Sequence, residues 1–97
     1  MPIDIQYALV GLTEVHLLKM HPGRTAIGLY NNHATAVLYF SDKKGVAITN
    51  GWPLPAGASM TFKIPEDDPT GEIHIISDTA DTDLRYLESF GLVPGRR

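Results

Sequence analysis

The sequence contains no cysteine among its 97 residues, so no disulfide can stabilise the fold and cysteine usage does not indicate a redox compartment. It also lacks an apolar run long enough to cross a membrane. Its first residues, "MPIDIQYALVGL", include an acid and no early cation, which is not typical of a signal peptide. We therefore expect a protein that is made and kept on the cytoplasmic side, or assembled there into something larger, with no membrane partner.

Positive charge is also scarce. The chain has 8 Lys and Arg against 11 Asp and Glu, for a net charge of −3. The only clusters of positive charge are the pairs Lys43-Lys44 and Arg96-Arg97. Since a nucleic-acid-binding protein needs a cationic face to neutralise phosphates, we expect no nucleic-acid partner.

Motifs for catalysis and metal binding are missing as well. Cupin-type metal sites need two histidines two residues apart with a carboxylate nearby, and no H-x-H occurs. Of the four histidines, only His16 and His74 fall on predicted strands. There is no G-x-S-x-G elbow, no Walker or dinucleotide-binding loop, and no EF-hand spacing in the acidic loops "EDDPTGE" and "DTADTD". The sequence therefore predicts no catalytic residues, no cofactor and no metal site.

The chain is the length of one domain, so residues 1–97 are assigned to a single unit. A chain of this size buries roughly 60–65% of its unfolded surface, which leaves a monomer only marginally stable. Without disulfides, subunit association is the available source of further burial. We therefore expect a homo-oligomer, with a trimer as the favoured state.

Apolar residues recur with a period of two, which is typical of strands that bury one face. In "IDIQYALV", for example, Ile3, Ile5, Tyr7 and Leu9 fall on one face. Eight short runs of this kind, with turn residues between nearly all of them, indicate an all-β sandwich of about eight antiparallel strands with a jelly-roll-like arrangement. The predicted strands cover residues 3–10, 13–20, 25–30, 35–40, 46–49, 59–64, 72–77 and 84–89.

Three finer predictions accompany this fold. The runs 25–30 and 35–40 are joined by an Asn-rich turn, which predicts a hairpin. The run 84–89 is predicted to be a final strand rather than a short helix, because its apolar and polar residues alternate. The C-terminal tail from about residue 90 and the loop 65–71 are expected to be flexible.

The stretch "NGWPLPAGASM" contains the single tryptophan. Asn50-Gly51 is a strong turn signal, and Pro53 and Pro55 exclude a central strand because proline cannot donate to a sheet ladder. Two interpretations remain open for this stretch. In the first, Trp52 anchors an interface that also includes Pro53, Leu54 and Pro55, and the prolines keep these residues on a rigid segment outside the sheet. Alternatively, Trp52 is a lid over one open end of the core.

The order of features resembles that of a known group of proteins. In "RTAIGLYNNHATAVLYFSD" an arginine is followed by a strand, an Asn-containing turn and a second strand. "VAITNGWPLPAGASMTFKI" and "GEIHIISDTADTDLRYLES" continue with short strands separated by polar turns. This succession, over roughly residues 24–89, resembles the small β-sandwich virion proteins of tailed bacteriophages, which are capsid decoration (cement) proteins and their relatives on head or tail.

The resemblance implies a non-enzymatic structural protein that binds the outside of an icosahedral shell and stabilises the head, commonly as a trimer at local three-fold axes. Its partner would be the major capsid protein of the same virus, and its location the capsid surface after assembly in the host cytoplasm. A carbohydrate- or receptor-binding β module of a phage fibre or tail is one alternative, which requires exposed coplanar aromatics. A small cupin-like metal enzyme, which requires convergent histidines, and a head–tail adaptor of more than three copies are the others.

Overall fold

The computed structural model describes residues 3–63 and 69–90. Within them, the chain forms eight strands and no helix, and therefore no helix that could cross a membrane. The expected flexible loop falls mostly outside the described residues, as does the tail beyond Phe90. In chain order the strands are β1 (Ile3–Val10), β2 (Val15–Leu18), β3 (Arg24–Asn31), β4 (Leu38–Ser41), β5 (Trp52–Leu54), β6 (Ser59–Lys63), β7 (Ile73–Ser77) and β8 (Thr82–Phe90).

The strands form two four-stranded sheets, with the orders β1-β8-β3-β6 and β2-β7-β4-β5. All of the pairings are antiparallel. The first strand pairs with the eighth, the second with the seventh, the third with the sixth and the fourth with the fifth. The chain is thus one long hairpin rolled into two layers, which is the jelly-roll arrangement. The predicted all-β, eight-stranded sandwich is confirmed, as is the strand character of residues 84–89.

The predicted hairpin between the third and fourth strands is wrong. β3 pairs with β6 and β8, whereas β4 pairs with β5 and β7 in the other sheet. Tyr30 and Tyr39 therefore belong to different sheets and are not cross-strand neighbours. A polar turn marks the end of a strand, but it does not decide whether the next strand pairs with it or crosses to the other layer.

The fifth strand also differs from its prediction. Residues 47–51 form a turn, closed by bonds from the amides of Asn50 and Gly51 to the carbonyl of Ala47 at 3.1 and 2.9 Å. The strand follows at Trp52–Leu54, so the expectation that this segment lies outside the sheet is wrong. Pro53 is tolerated there because β5 is an edge strand and needs no donor on its open side.

Gly51 is required by a close approach of the chain to β4. A Cβ atom at this position would lie 2.7 Å from Cβ of Tyr39 and 2.8 Å from Cγ2 of Val46. The Asn50-Gly51 pair therefore marks a turn, as predicted, but the glycine is needed for space rather than for a positive φ.

The core lies between the two sheets and receives side chains from both. On β3, Ile27 and Leu29 point inward while Tyr30 faces solvent, as strand alternation requires. Phe40 of one sheet meets Phe62 of the other edge-on, with ring centroids 6.0 Å apart. The buried cluster consists of Val10, Leu18, Ile27, Leu29, Leu38, Phe40, Leu54, Ile73, Ile75 and Leu84.

Arg24, at the start of β3, is a buried charge whose three nitrogens all have hydrogen-bond partners. Its Nε donates to the carboxylate of Glu88 at 2.9 Å. Its terminal nitrogens donate to the carbonyls of Lys19 (2.7 Å), Gly71 (3.0 Å) and Pro69 (3.1 Å). Because a buried guanidinium is stable only when its donors are used, these contacts fix the loops at this end of the sandwich against β8.

Asn31, at the other end of β3, is fully buried where the chain leaves the first sheet. Its Nδ2 donates to the carbonyls of Ala36 and Leu54 at 2.8 and 2.9 Å, and its Oδ1 accepts from the amide of His33 at 3.1 Å. One side chain thus satisfies backbone groups of the crossover loop and of β5 in the opposite sheet.

Replacing this side chain by Asn31→Ala leaves two buried carbonyls and one amide short of a partner. We expect a loss of about 2 kcal/mol or more in the free energy of unfolding, since each unsatisfied buried group costs about 1–3 kcal/mol. Urea denaturation measures the loss. Asn32→Ala is the matched control, because Asn32 is exposed and its side chain bonds the surface carboxylate of Asp83. Equal losses in the two variants would contradict the role assigned to Asn31.

Candidate functional site

Three large apolar side chains on β1 face solvent. Ile5, Tyr7 and Leu9 are 72%, 69% and 59% exposed, and we call them the β1 stripe. The period-two pattern correctly placed them on one face, but that face points away from the core. β1 is also an edge strand of its sheet. Exposed apolar residues on an edge strand are unfavourable for an isolated chain and are typical of a surface that is covered by a partner.

The β1 stripe continues onto β8, which supplies both apolar and charged groups. Leu87 lies opposite Ile5, and Arg85 lies opposite Tyr7 with its guanidinium carbon 5.9 Å from the ring centroid. Arg85 is also paired with Asp83 at 3.0 Å. The stripe is therefore bordered by a charged pair, as the rim of a protein interface commonly is.

The carboxylate of this charged pair is held in its ionised form. The pKa of Asp83 lies below its ordinary value because Arg85 and Asn32 donate hydrogen bonds to it. A fixed charge beside an apolar surface favours partners with complementary charge and disfavours others.

The predicted interface residues on β5 separate into two groups. Trp52 is 61% exposed, and Pro53 and Pro55 are exposed as well. Leu54 is only 2% exposed and belongs to the core, and its part in an interface stays a prediction. Trp52 and Leu54 share one face of β5, but only Leu54 reaches the space between the sheets.

Trp52 stands at the rim of an open cleft. The cleft has a volume of about 550 Å³ and lies between β5 and β6, where the two sheets diverge. Its floor is apolar, with Phe40, Met60 and Phe62 among its lining residues. Because Trp52 leaves this space open and remains mostly exposed, it is not a lid that buries itself on the core. Its role as an interface anchor stays a prediction.

A cluster of histidine and glutamate side chains lies on β2 and β7, in the same sheet as β5. His16 of β2 is directly opposite His74 of β7, and their rings stack with centroids 4.2 Å apart. Nδ1 of His74 is 2.9 Å from the carboxylate of Glu14, and its Nε2 is 2.7 Å from that of Glu72. His16, Glu72 and His74 each place one potential ligand atom within 4.8 Å of the others, so these three could hold a metal ion.

The sequence indicates this cluster by a repeated E-x-H spacing, which differs from the H-x-H spacing of cupin-type sites. "EVH" at 14–16 and "EIH" at 72–74 each place a glutamate and a histidine two residues apart, which puts both on one face of a strand. The antiparallel pairing of β2 with β7 then brings the two copies together. The other histidines lie outside the cluster, in turns: His33 accepts bonds from the amides of Thr35 and Ala36, and His21 accepts one from Gly23.

Comparison of the chain with protein-family models, with curated proteins and with solved structures found no match. Three features stand out: the β1 stripe, the β5 edge with Trp52 above the cleft, and the histidine–glutamate cluster.

The exposure of Trp52 leads to a prediction about stability. We expect Trp52→Ala to cost little free energy of unfolding, because most of the ring is already in water. Leu54→Ala, two residues away, should cost about 2–5 kcal/mol, since it opens a cavity in the core. Denaturation of both variants, at a protein concentration where the chain is monomeric, provides the comparison. A loss from Trp52→Ala as large as that from Leu54→Ala would restore the lid interpretation.

Proposed function

We propose that the chain is a structural virion protein, most specifically a capsid decoration protein that binds the outer shell as a homotrimer and stabilises the head. One observation carries the proposal: the chain exposes two different apolar surfaces on opposite edges of the sandwich. In this proposal the protein has no catalytic residues, and its function lies in the contacts it makes.

The positions of the two surfaces follow from the strand order. β1 and β6 are the opposite edges of one sheet, and Trp52 shares the cleft with Met60 and Phe62 of β6. The β1 stripe and the β5 edge therefore lie on opposite sides of the molecule. A contact between two unlike surfaces is heterologous; repeated, it closes into a ring when the rotation between neighbours completes a full turn and otherwise continues as an open filament. The proposed trimer is the closed case. Three is the smallest number of copies that such a ring can contain.

The shell as partner is supported by the resemblance of residues 24–89 to phage decoration proteins. The jelly-roll topology is consistent with it, because capsid and lectin domains commonly use this fold. This support is an analogy at the level of the fold. The ring is supported independently by the exposed surfaces, so the oligomer and the shell contact are tested separately.

The cleft favours a second candidate function, a carbohydrate-binding module. Its rim combines the exposed indole of Trp52 with the polar groups of Asp42, Asn50 and Glu72. An exposed aromatic ring beside carboxylate and amide groups suits a sugar, which has an apolar face and many hydroxyls. Trp52 is the only tryptophan, so a saturable change in its fluorescence on addition of soluble oligosaccharides would favour this function.

The head-to-tail ring predicts the outcome of a mixing experiment. We expect the wild-type chain to be a trimer at micromolar concentration by light scattering with size exclusion. Tyr7→Asp in the β1 stripe and Trp52→Ala at the β5 edge should each give monomers, with Trp52→Ala weakening the contact by about 2 kcal/mol or more. An equimolar mixture of the two variants should give a heterodimer, because one intact surface remains on each partner.

Met20→Ala is the control for this experiment, because Met20 is 69% exposed and lies outside both surfaces. It should remain a trimer. A mixture that stays monomeric would indicate a like-with-like contact and contradict the ring. A wild-type chain that is monomeric at micromolar concentration would remove the oligomer from the proposal.

Binding to the shell is measured by co-sedimentation with empty heads assembled from the major capsid protein encoded in the same genome. We expect the wild-type chain and Met20→Ala to pellet with the heads at saturating, stoichiometric amounts, and the two monomeric variants to bind more weakly because they lose avidity. If the wild-type trimer does not pellet with the heads, the decoration role is wrong even where the ring is correct.

A further inference from the structure

We propose that His16, Glu72 and His74 form a binding site for a divalent transition-metal cation of the zinc type, and that Glu14 positions His74 for it. The site lies at the junction of β2 and β7, away from the β1 stripe. It does not depend on the proposed virion role. The proposal differs from the prediction of no metal site, which was based on the absence of an H-x-H spacing along the chain.

The ligand set is the first argument. Two imidazoles and one carboxylate are a common protein contribution to zinc, with the fourth position left to water or a further ligand. Calcium and magnesium prefer sites built from oxygen alone, so the two ring nitrogens favour a transition metal. The three potential ligand atoms already lie within 4.8 Å of one another.

The orientation of His74 is the second argument. A histidine that binds a metal through one nitrogen usually donates the other N–H to a carboxylate or carbonyl, which fixes the ring and its tautomer. Nδ1 of His74 is 2.9 Å from the carboxylate of Glu14. The oxygens of Glu14 also accept the amide of Gly45 at 3.1 Å, so this carboxylate is itself held in place. Nε2, on the opposite side of the ring, is thereby directed at Glu72.

The local charge is the third argument. Two carboxylates flank a ring whose side chain is only 6% exposed, so the cluster concentrates negative charge around a nearly buried group. A bound cation compensates this charge. His16 is exposed and the side chain of Glu72 is 35% exposed, which leaves an entry path and room for a water ligand.

Binding requires side-chain movement of Glu72 and of His16. The ring of His16 is stacked on that of His74 and must turn to aim a nitrogen at the ion, since imidazole lone pairs lie in the ring plane. Glu72 and His74 are hydrogen-bonded at 2.7 Å. An ion about 2.1 Å from each atom in tetrahedral geometry needs a separation of about 3.4 Å. Glu72 precedes β7 and is partly exposed, so its side chain can open this gap while the strand pairing is retained.

The site is tested by titrating chelator-treated protein, without a histidine tag, with zinc chloride in a calorimeter. We expect saturable binding of one ion per chain and a rise in melting temperature on addition of zinc. Magnesium chloride should give neither effect. His16→Ala and Glu72→Gln should each remove saturable binding, and Glu14→Gln should weaken it by about 10–100-fold.

His21→Ala is the matched control, because it removes an exposed histidine that lies outside the cluster. It should bind zinc as the wild-type chain does. The circular dichroism of each variant shows whether it is folded before titration. Absence of saturable zinc binding by the wild-type chain, or unchanged binding by folded His16→Ala and Glu72→Gln, would overturn the site and leave an ion-pair cluster. Unchanged affinity in Glu14→Gln would overturn the role given to that residue.

Discussion

The buried amide of Asn31 connects the two layers of this molecule. β3 lies inside its sheet, between β6 and β8, and ends at Asn31. From there the side chain reaches the loop that leads to β4 and the carbonyl of Leu54 on β5. The position of β5, and with it that of Trp52, therefore depends on a side chain that belongs to the other sheet. Buried polar groups with complete hydrogen bonding specify one arrangement of the parts they join.

The two ends of β3 are held by different chemistry. Arg24 uses a charged group whose donors reach three carbonyls and one carboxylate, whereas Asn31 uses a neutral amide. Among the described residues, every buried side-chain nitrogen or oxygen has a hydrogen-bond partner. Besides these two ends, the sandwich has lateral edges, which are formed by β1, β6, β2 and β5. The two exposed apolar surfaces are found at those edges.

The period of two in the sequence was sufficient to predict the class of fold, because it depends on neighbours along the chain. The pairing of strands was not predictable in the same way. The hairpin of the third and fourth strands and the strand at 46–49 were wrong because each depends on which distant segment pairs with the strand. The histidine–glutamate cluster was missed for the same reason, since His16 and His74 meet only through the register of β2 against β7.

The pairing of β1 with β8 has a consequence for how the chain folds. β1 has no other strand partner in its sheet, and Ile3 is paired with Ser89. During synthesis, the backbone of β1 therefore has no strand partner until nearly the whole described chain has left the ribosome. Contacts between such distant segments slow folding and prolong the exposure of aggregation-prone strands. The unpaired backbone of β1 can then pair with other chains before β8 is available to it.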